Sequence, residues 1–227
     1  MAEQAGPGLK TRRDCTLLGA KVFASGMAAA LLLAAVVHAF YWHSRGGAGR
    51  FWNLSEIGTD LWYGLIIGVP PAVLVGAVAG FELYRVAVGS REWRPVGCLV
   101  WVLLVVPLGY MAPLLYLQYR RREKLILERA PIRWWLPAVY GVILLLIDLT
   151  ACEFSMRDER RILLICGGGF LSLFLSDSVL VNVIARWRNE GRLAPPVSHT
   201  FQYSLGTLLI FVLGMGAWMT ALAKLFK

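Results

Sequence analysis

The chain has no Gly-x-Ser-x-Gly elbow, no His-Glu-x-x-His pair and no Cys-x-x-Cys. Acyl transfer from a nucleophile elbow, zinc hydrolysis and thiol exchange therefore lack the residues they require. The glycine triplet Gly167-Gly168-Gly169 has no strand before it and no Lys-Ser or Lys-Thr behind it, which excludes a phosphate-cradling loop. Cysteine is scarce: Cys15, Cys98, Cys152 and Cys166 have no histidine at metal-ligand spacing, so no metal site is expected. Cys152 and Cys166 flank a short connection where an oxidising compartment would permit a disulfide, but four small buried side chains is the plainer reading. Of the three histidines, His38 and His199 fall on one side of a six-span model. Nothing beyond that placement supports haem ligation, and no cofactor is expected.

Charge is also scarce. Only 16% of residues are charged and 58% are hydrophobic, with a mean hydropathy of +0.61, beyond what a water-facing surface accommodates. Six apolar stretches are each long enough to cross a hydrocarbon core of ~30 Å at ~1.5 Å per helical residue. They run over Leu17–Trp42, Leu61–Tyr84, Val96–Gln118, Trp134–Cys152, Ile162–Ala185 and Tyr203–Leu225. Lipid offers no partner for a free backbone N–H or C=O, so these stretches are helices, and the alternating segments of a membrane barrel are missing. The expected fold is all-α: one transmembrane domain over 1–227, a bundle of about six helices, in a plasma or inner membrane. The first stretch follows Lys10, Arg12 and Arg13 but is too long for a signal-peptide core, and is read as a retained helix.

The net charge of +9 does not point to nucleic acid, because the cations sit at helix ends beside aromatic residues rather than along one face. Anionic lipid headgroups are the expected counter-charge. The basic segment after the third stretch carries Arg120, Arg121, Arg122, Lys124, Arg129 and Arg133 around Leu125, Ile126 and Leu127, which reads as an amphipathic interfacial anchor held by Trp134 and Trp135. With six alternating spans the two sets of connections carry eleven Lys and Arg each, so the positive-inside rule does not orient the chain. The density of the 119–133 cluster favours that loop as cytoplasmic, with both termini outside. A tie also arises if one stretch fails to cross, and Pro70-Pro71 makes Leu61–Tyr84 the first candidate for a broken or re-entrant segment.

Two small-residue pairs, Gly64-x-x-x-Gly68 and Gly76-x-x-x-Gly80, expose a strip of backbone to which another helix can approach closely, in this chain or in another. Self-association or contact with other membrane subunits is expected on that ground. Asn53-Leu54-Ser55 fits a glycosylation acceptor but such triplets are common. Glu82 with Arg85 reads as an interfacial ion pair, and Lys21 as a snorkelling side chain.

The out-of-place groups are carboxylates at depth. Asp148 and Asp177 each lie in an apolar stretch, where a charge costs ~2.5–3.5 kcal/mol on insertion scales unless it faces the bundle interior, water or a partner. Ser178, Asn182 and Arg186 follow Asp177 at helical spacing, with Ser172 and Ser176 as a second pair, which makes a polar stripe. The first functional reading is a transport or pore protein in which Asp177, Ser178 and Asn182 line a polar path that Asp148 modulates. The alternative is a non-catalytic structural or accessory subunit of a larger membrane complex, its stripe a hydrogen-bond network between helices. A lipid-modifying enzyme using Asp148 or Asp177 is a third reading, with no motif behind it.

Overall fold

The structure is a computed structural model that describes residues 8–44, 54–89, 112–153 and 158–195. The chain divides into two units, Met1–Ala194 and Pro195–Lys227, and the fold described below belongs to the first. The expectations that rest on Cys98, Asn53, His199, residues 96–111 and the stretch Tyr203–Leu225 lie outside the described residues.

The described residues are helical, without strands: α1 Arg12–Ser44, α2 Leu54–Ala87, α3 Ala112–Leu127, α4 Trp135–Glu153 and α5 Asp158–Asn189. Four stretches within them are long and apolar enough to cross a membrane: Arg12–Tyr41, Leu61–Ala87, Trp135–Glu153 and Gly167–Asn189. Large apolar side chains point outward along them, among them Leu32, Val36, Leu146 and Phe40, the last 70% exposed. In water each would forfeit ~1.5–3 kcal/mol of burial; against acyl chains they are at no disadvantage.

Local chemistry sets the helix ends. Thr11 and Asp14 form a capping box at the start of α1, with Thr11 N–H donating to Asp14 Oδ2 (2.9 Å) and Asp14 N–H to Thr11 Oγ1 (3.4 Å). At the end of α5, Gly191 takes a left-handed φ of 66°. Arg192 N–H then donates to Trp187 C=O (2.8 Å) and Gly191 N–H to Arg188 C=O (3.0 Å), the double bond of a Schellman stop.

Helix α2 runs unbroken through Pro70 and Pro71, so the first candidate for a broken segment, Leu61–Tyr84, is continuous helix. Two missing N–H groups remove two intrahelical bonds, but a neighbouring helix packed along the full length holds the segment straight enough to continue. That neighbour is α1. A Cβ added at Gly76 would overlap the Gly19 carbonyl oxygen, one at Gly80 the Cys15 carbonyl oxygen, one at Gly64 would meet Leu31 Cδ2 at 2.9 Å, and one at Gly68 would meet Met27 Cγ at 3.3 Å. The glycine strip is thus filled by an antiparallel helix of the same chain, so it offers no free surface for self-association.

The core lies where α1, α2, α3 and α5 meet, around Phe23, Leu83, Ile126, Leu180, Val181 and Ile184. Helix α4 packs against α5 and α1 through Leu144, Leu171 and Ala30.

The helix directions bring several connections to one end of the bundle. Lys10 N–H donates to Arg192 C=O (2.6 Å) and Ala194 N–H to Lys10 C=O (3.0 Å), which joins the start of α1 to the end of α5. The Tyr84 hydroxyl donates to Ala194 C=O (3.1 Å), which adds the end of α2. Helix α3 lies parallel to α5, as Gln118 reaches Asp177 and Arg121 reaches Asn182, so the α3–α4 connection arrives at this end too. The expected alternation put loop 119–133 opposite the N-terminus; among the described residues the start of α1, the end of α2 and the end of α3 lie at one end.

Candidate functional site

The polar stripe of α5 is matched by a polar face of α3. Gln118, Arg121, Arg122, Leu125 and Ile126 recur at three- and four-residue spacing, so they lie on one side of that helix. Laid parallel to α5, this side sets two guanidinium groups and an amide against Asp177, Ser178 and Asn182.

The pairing at Asp177 is saturated. Gln118 Nε2–H donates to Oδ2 (2.6 Å), Arg122 Nε–H donates to the same oxygen (3.0 Å), and Arg122 Nη2–H donates to Oδ1. Both carboxylate oxygens are thereby engaged in a fork-on-fork ion pair, and Asp177 is only 1% exposed. Arg121 completes the second storey: Nη1–H donates to Ser178 Oγ, and Nη2–H to Asn182 Oδ1 (2.8 Å). The Asn182 amide then donates to Arg133 C=O (3.3 Å), which ties the stripe to the start of α4. Tyr140, on α4, lies at hydrogen-bonding range of Gln118 Oε1 (3.5 Å) and rests on Phe174, ring centroids 6.0 Å apart.

Glu82 of α2 belongs to the same cluster. It is buried and coupled electrostatically to Arg122, Asp177 and Arg85, so it turns inward rather than forming only the interfacial pair with Arg85 that its spacing suggests. Arg85 lies over the Phe81 ring, 5.8 Å from the centroid. Arg122 of α3 is thus paired with the Asp177 carboxylate, while Arg121 bonds the neutral Ser178 and Asn182, and Glu82 is buried beside them. Opposite charges at ion-pair distance in a low-dielectric interior attract more strongly than at a surface, which counters part of a desolvation cost of several kcal/mol per ion.

The expected headgroup cluster therefore splits. Arg122 is buried and Arg121 half-buried, both turned into the bundle, whereas Lys124, Arg129 and Arg133 are exposed; Arg120 is exposed too, with a partner of its own. Sequence reading took all six as outward-facing because a run of cations in an amphipathic segment ordinarily is. The signal for the inward pair was the register of Gln118, Arg121 and Arg122 against Asp177, Ser178 and Asn182.

Asp148 has a different environment. It lies on α4 opposite Gly168 of α5, away from the Arg122 cluster, and its Oδ2 is shut off from solvent with no hydrogen-bond partner. Ser176 Oγ is likewise buried without a partner, pressed against Gly26 of α1. Ser172 donates to Gly169 C=O (2.8 Å) and touches Met27 Sδ (3.7 Å). Cys15 and Cys152 are free thiols. An open cleft of about 670 Å³ on the α1–α2 surface is lined by Lys21, Ser25, Leu65, Ile66 and neighbouring small residues, with no member of the stripe. No cluster of three His, Cys, Asp or Glu suited to a metal occurs among the described residues. The chain matches no protein-family model, no curated protein and no solved structure.

Proposed function

We propose that the chain is a non-catalytic structural or accessory subunit of a membrane assembly, in which the α5 stripe is an interhelical lock. The observation that carries this reading is the saturation of Asp177: Gln118 and Arg122 occupy both carboxylate oxygens. A carboxylate that lines a conduction path must present a face to water or solute, and this one presents its faces to protein donors. A paired network of this kind specifies the register of α3 on α5, the best-attested use of buried polar groups.

The finer count of about six crossings is part of the proposal. It adds Val96–Gln118 and Tyr203–Leu225 to the four apolar helices.

The test is solute and ion flux through liposomes that hold the purified chain, wild type against Asp177→Asn at matched insertion. We expect no flux from either, together with loss of thermal stability or of co-purifying membrane partners in the variant. A flux that Asp177→Asn alters in folded protein sinks the proposal. The transport reading keeps one observation in its favour, the unpartnered buried oxygen of Asp148, since an intramembrane acid with no structural partner is a functional candidate by default. On that reading flux appears and responds to Asp148→Asn.

A further inference from the structure

The α1–α2 cleft takes no part in the interior network. It encloses about 670 Å³, and Ala24, Ala28, Leu65, Ile66 and Val69 give it apolar walls. Lys21 is the one charged residue in the lining. Ser25, the other polar residue there, donates its hydroxyl hydrogen to Val22 C=O (3.0 Å), so it has no proton left for a ligand. Lys21 is exposed and forms no ion pair among the described residues.

Helix register fixes the height of that ammonium. Ser176 of α5 lies against Gly26 of α1 and the two helices run antiparallel, so the six residues from Ser176 on to Asn182 correspond to the six from Gly26 back to Ala20. Asn182 in turn bonds Arg133 C=O, next to Trp134. Lys21 therefore stands within about one turn, ~5 Å, of the exposed Trp134 and Trp135, which mark a headgroup boundary. Ala28 lies ~10 Å deeper along α1. Gly68 and Gly64 of α2 sit against Met27 and Leu31, which puts Leu65, Ile66 and Val69 at the depth of Ala28. The cleft is a trough that starts beside a cation at the boundary and runs into the hydrocarbon.

We propose that this trough binds a long-chain carboxylate, with the acyl chain between Ala28 and Ile66 and the carboxylate on Lys21. One cation and one trough match one negative charge and one chain. The lysine springs from the wall of the trough, one turn from Ala24 and Ser25. The ligand's charge must then sit at the end of its chain, as in a fatty acid, whereas a phospholipid carries its phosphate beyond a glycerol spacer. Concave, mostly apolar sites with a few placed polar groups are what ligands of this size occupy. A charge-assisted bond at the edge of the hydrocarbon is also stronger than in water.

The test is photolabelling of the full chain in phosphatidylcholine nanodiscs with palmitic acid that carries a mid-chain diazirine, the adducts being mapped by peptide mass spectrometry. We expect adducts between Ala24 and Ala28 or between Leu65 and Val69, and protection by unlabelled palmitate. Lys21→Met, which keeps an apolar stem without the charge, should reduce them about fivefold, as expected for one interfacial cation, and Lys21→Arg should retain them. Ala28→Phe, which fills the trough, should abolish them. Undiminished labelling of Lys21→Met, or equal labelling by the matching fatty alcohol, would overturn the proposal. So would adducts spread evenly over outward residues such as Leu32 and Leu146. Protection by phosphatidylglycerol but not by palmitate would give the trough to a phospholipid and overturn the carboxylate.

Discussion

Two aspartates in the same hydrocarbon layer reach opposite environments. Asp177 is held by Arg122 and Gln118, whereas Asp148 keeps an oxygen with no partner. Removal of one member of a buried pair strands the other charge and costs ~3–5 kcal/mol, while an apolar replacement of both is often neutral or stabilising. Asp177→Leu should therefore lower the thermal midpoint in detergent sharply, and Asp177→Leu combined with Arg122→Leu should recover most of the loss. Asp148→Leu, which breaks no bond, should leave the midpoint unchanged or raise it. A double variant no better than Asp177→Leu alone would show that the pair does not act as a unit. Either aspartate can be found in the sequence as an anomaly; which one is satisfied cannot, because the satisfying groups are 55 and 59 residues away on another helix.

At the scale of helices, α1 and α2 form the tightest contact, and glycine makes it. Gly76 lies against the Gly19 carbonyl and Phe23 Cβ, while Gly167 of α5 has open space where a side chain would stand. Gly76→Ala should cost ~1–3 kcal/mol by overpacking backbone against backbone, and Gly167→Ala should be tolerated, which thermal melts of the two variants in one detergent would check. The small-xxx-small pattern announced a close approach but not the partner, and α1 is recognisable in hindsight by Gly19, whose backbone meets Gly76 and Gly80. Helix α3 shows the converse problem. Its charges suit an interfacial segment, and its inward turn depends on the complementary stripe of α5, a relation between two elements that neither pattern expresses alone.

For the whole molecule, the distribution of charge changes once the helices are arranged. Among the described residues loop 119–133 joins the N-terminus and the end of α5, and their cations gather at that end. Single cysteines placed at Gly8, Glu128 and Gly191 in an otherwise thiol-free chain should react with an impermeant maleimide from the same side of sealed vesicles. A label on Glu128 from the side opposite Gly8 would restore the strict six-span alternation. Composition and apolar run length by themselves located four helices long and apolar enough to cross a membrane to within a few residues at most of their ends, because hydrocarbon forces every backbone group to pair locally. Tertiary structure alone decided that α1 fills the glycine strip, that Arg121 and Arg122 turn inward to Asp177, Ser178 and Asn182, and that the cations collect at one end. Those outcomes depend on which helices run parallel or antiparallel and in what register, and contacts between distant residues settle that, not the hydropathy of any one segment.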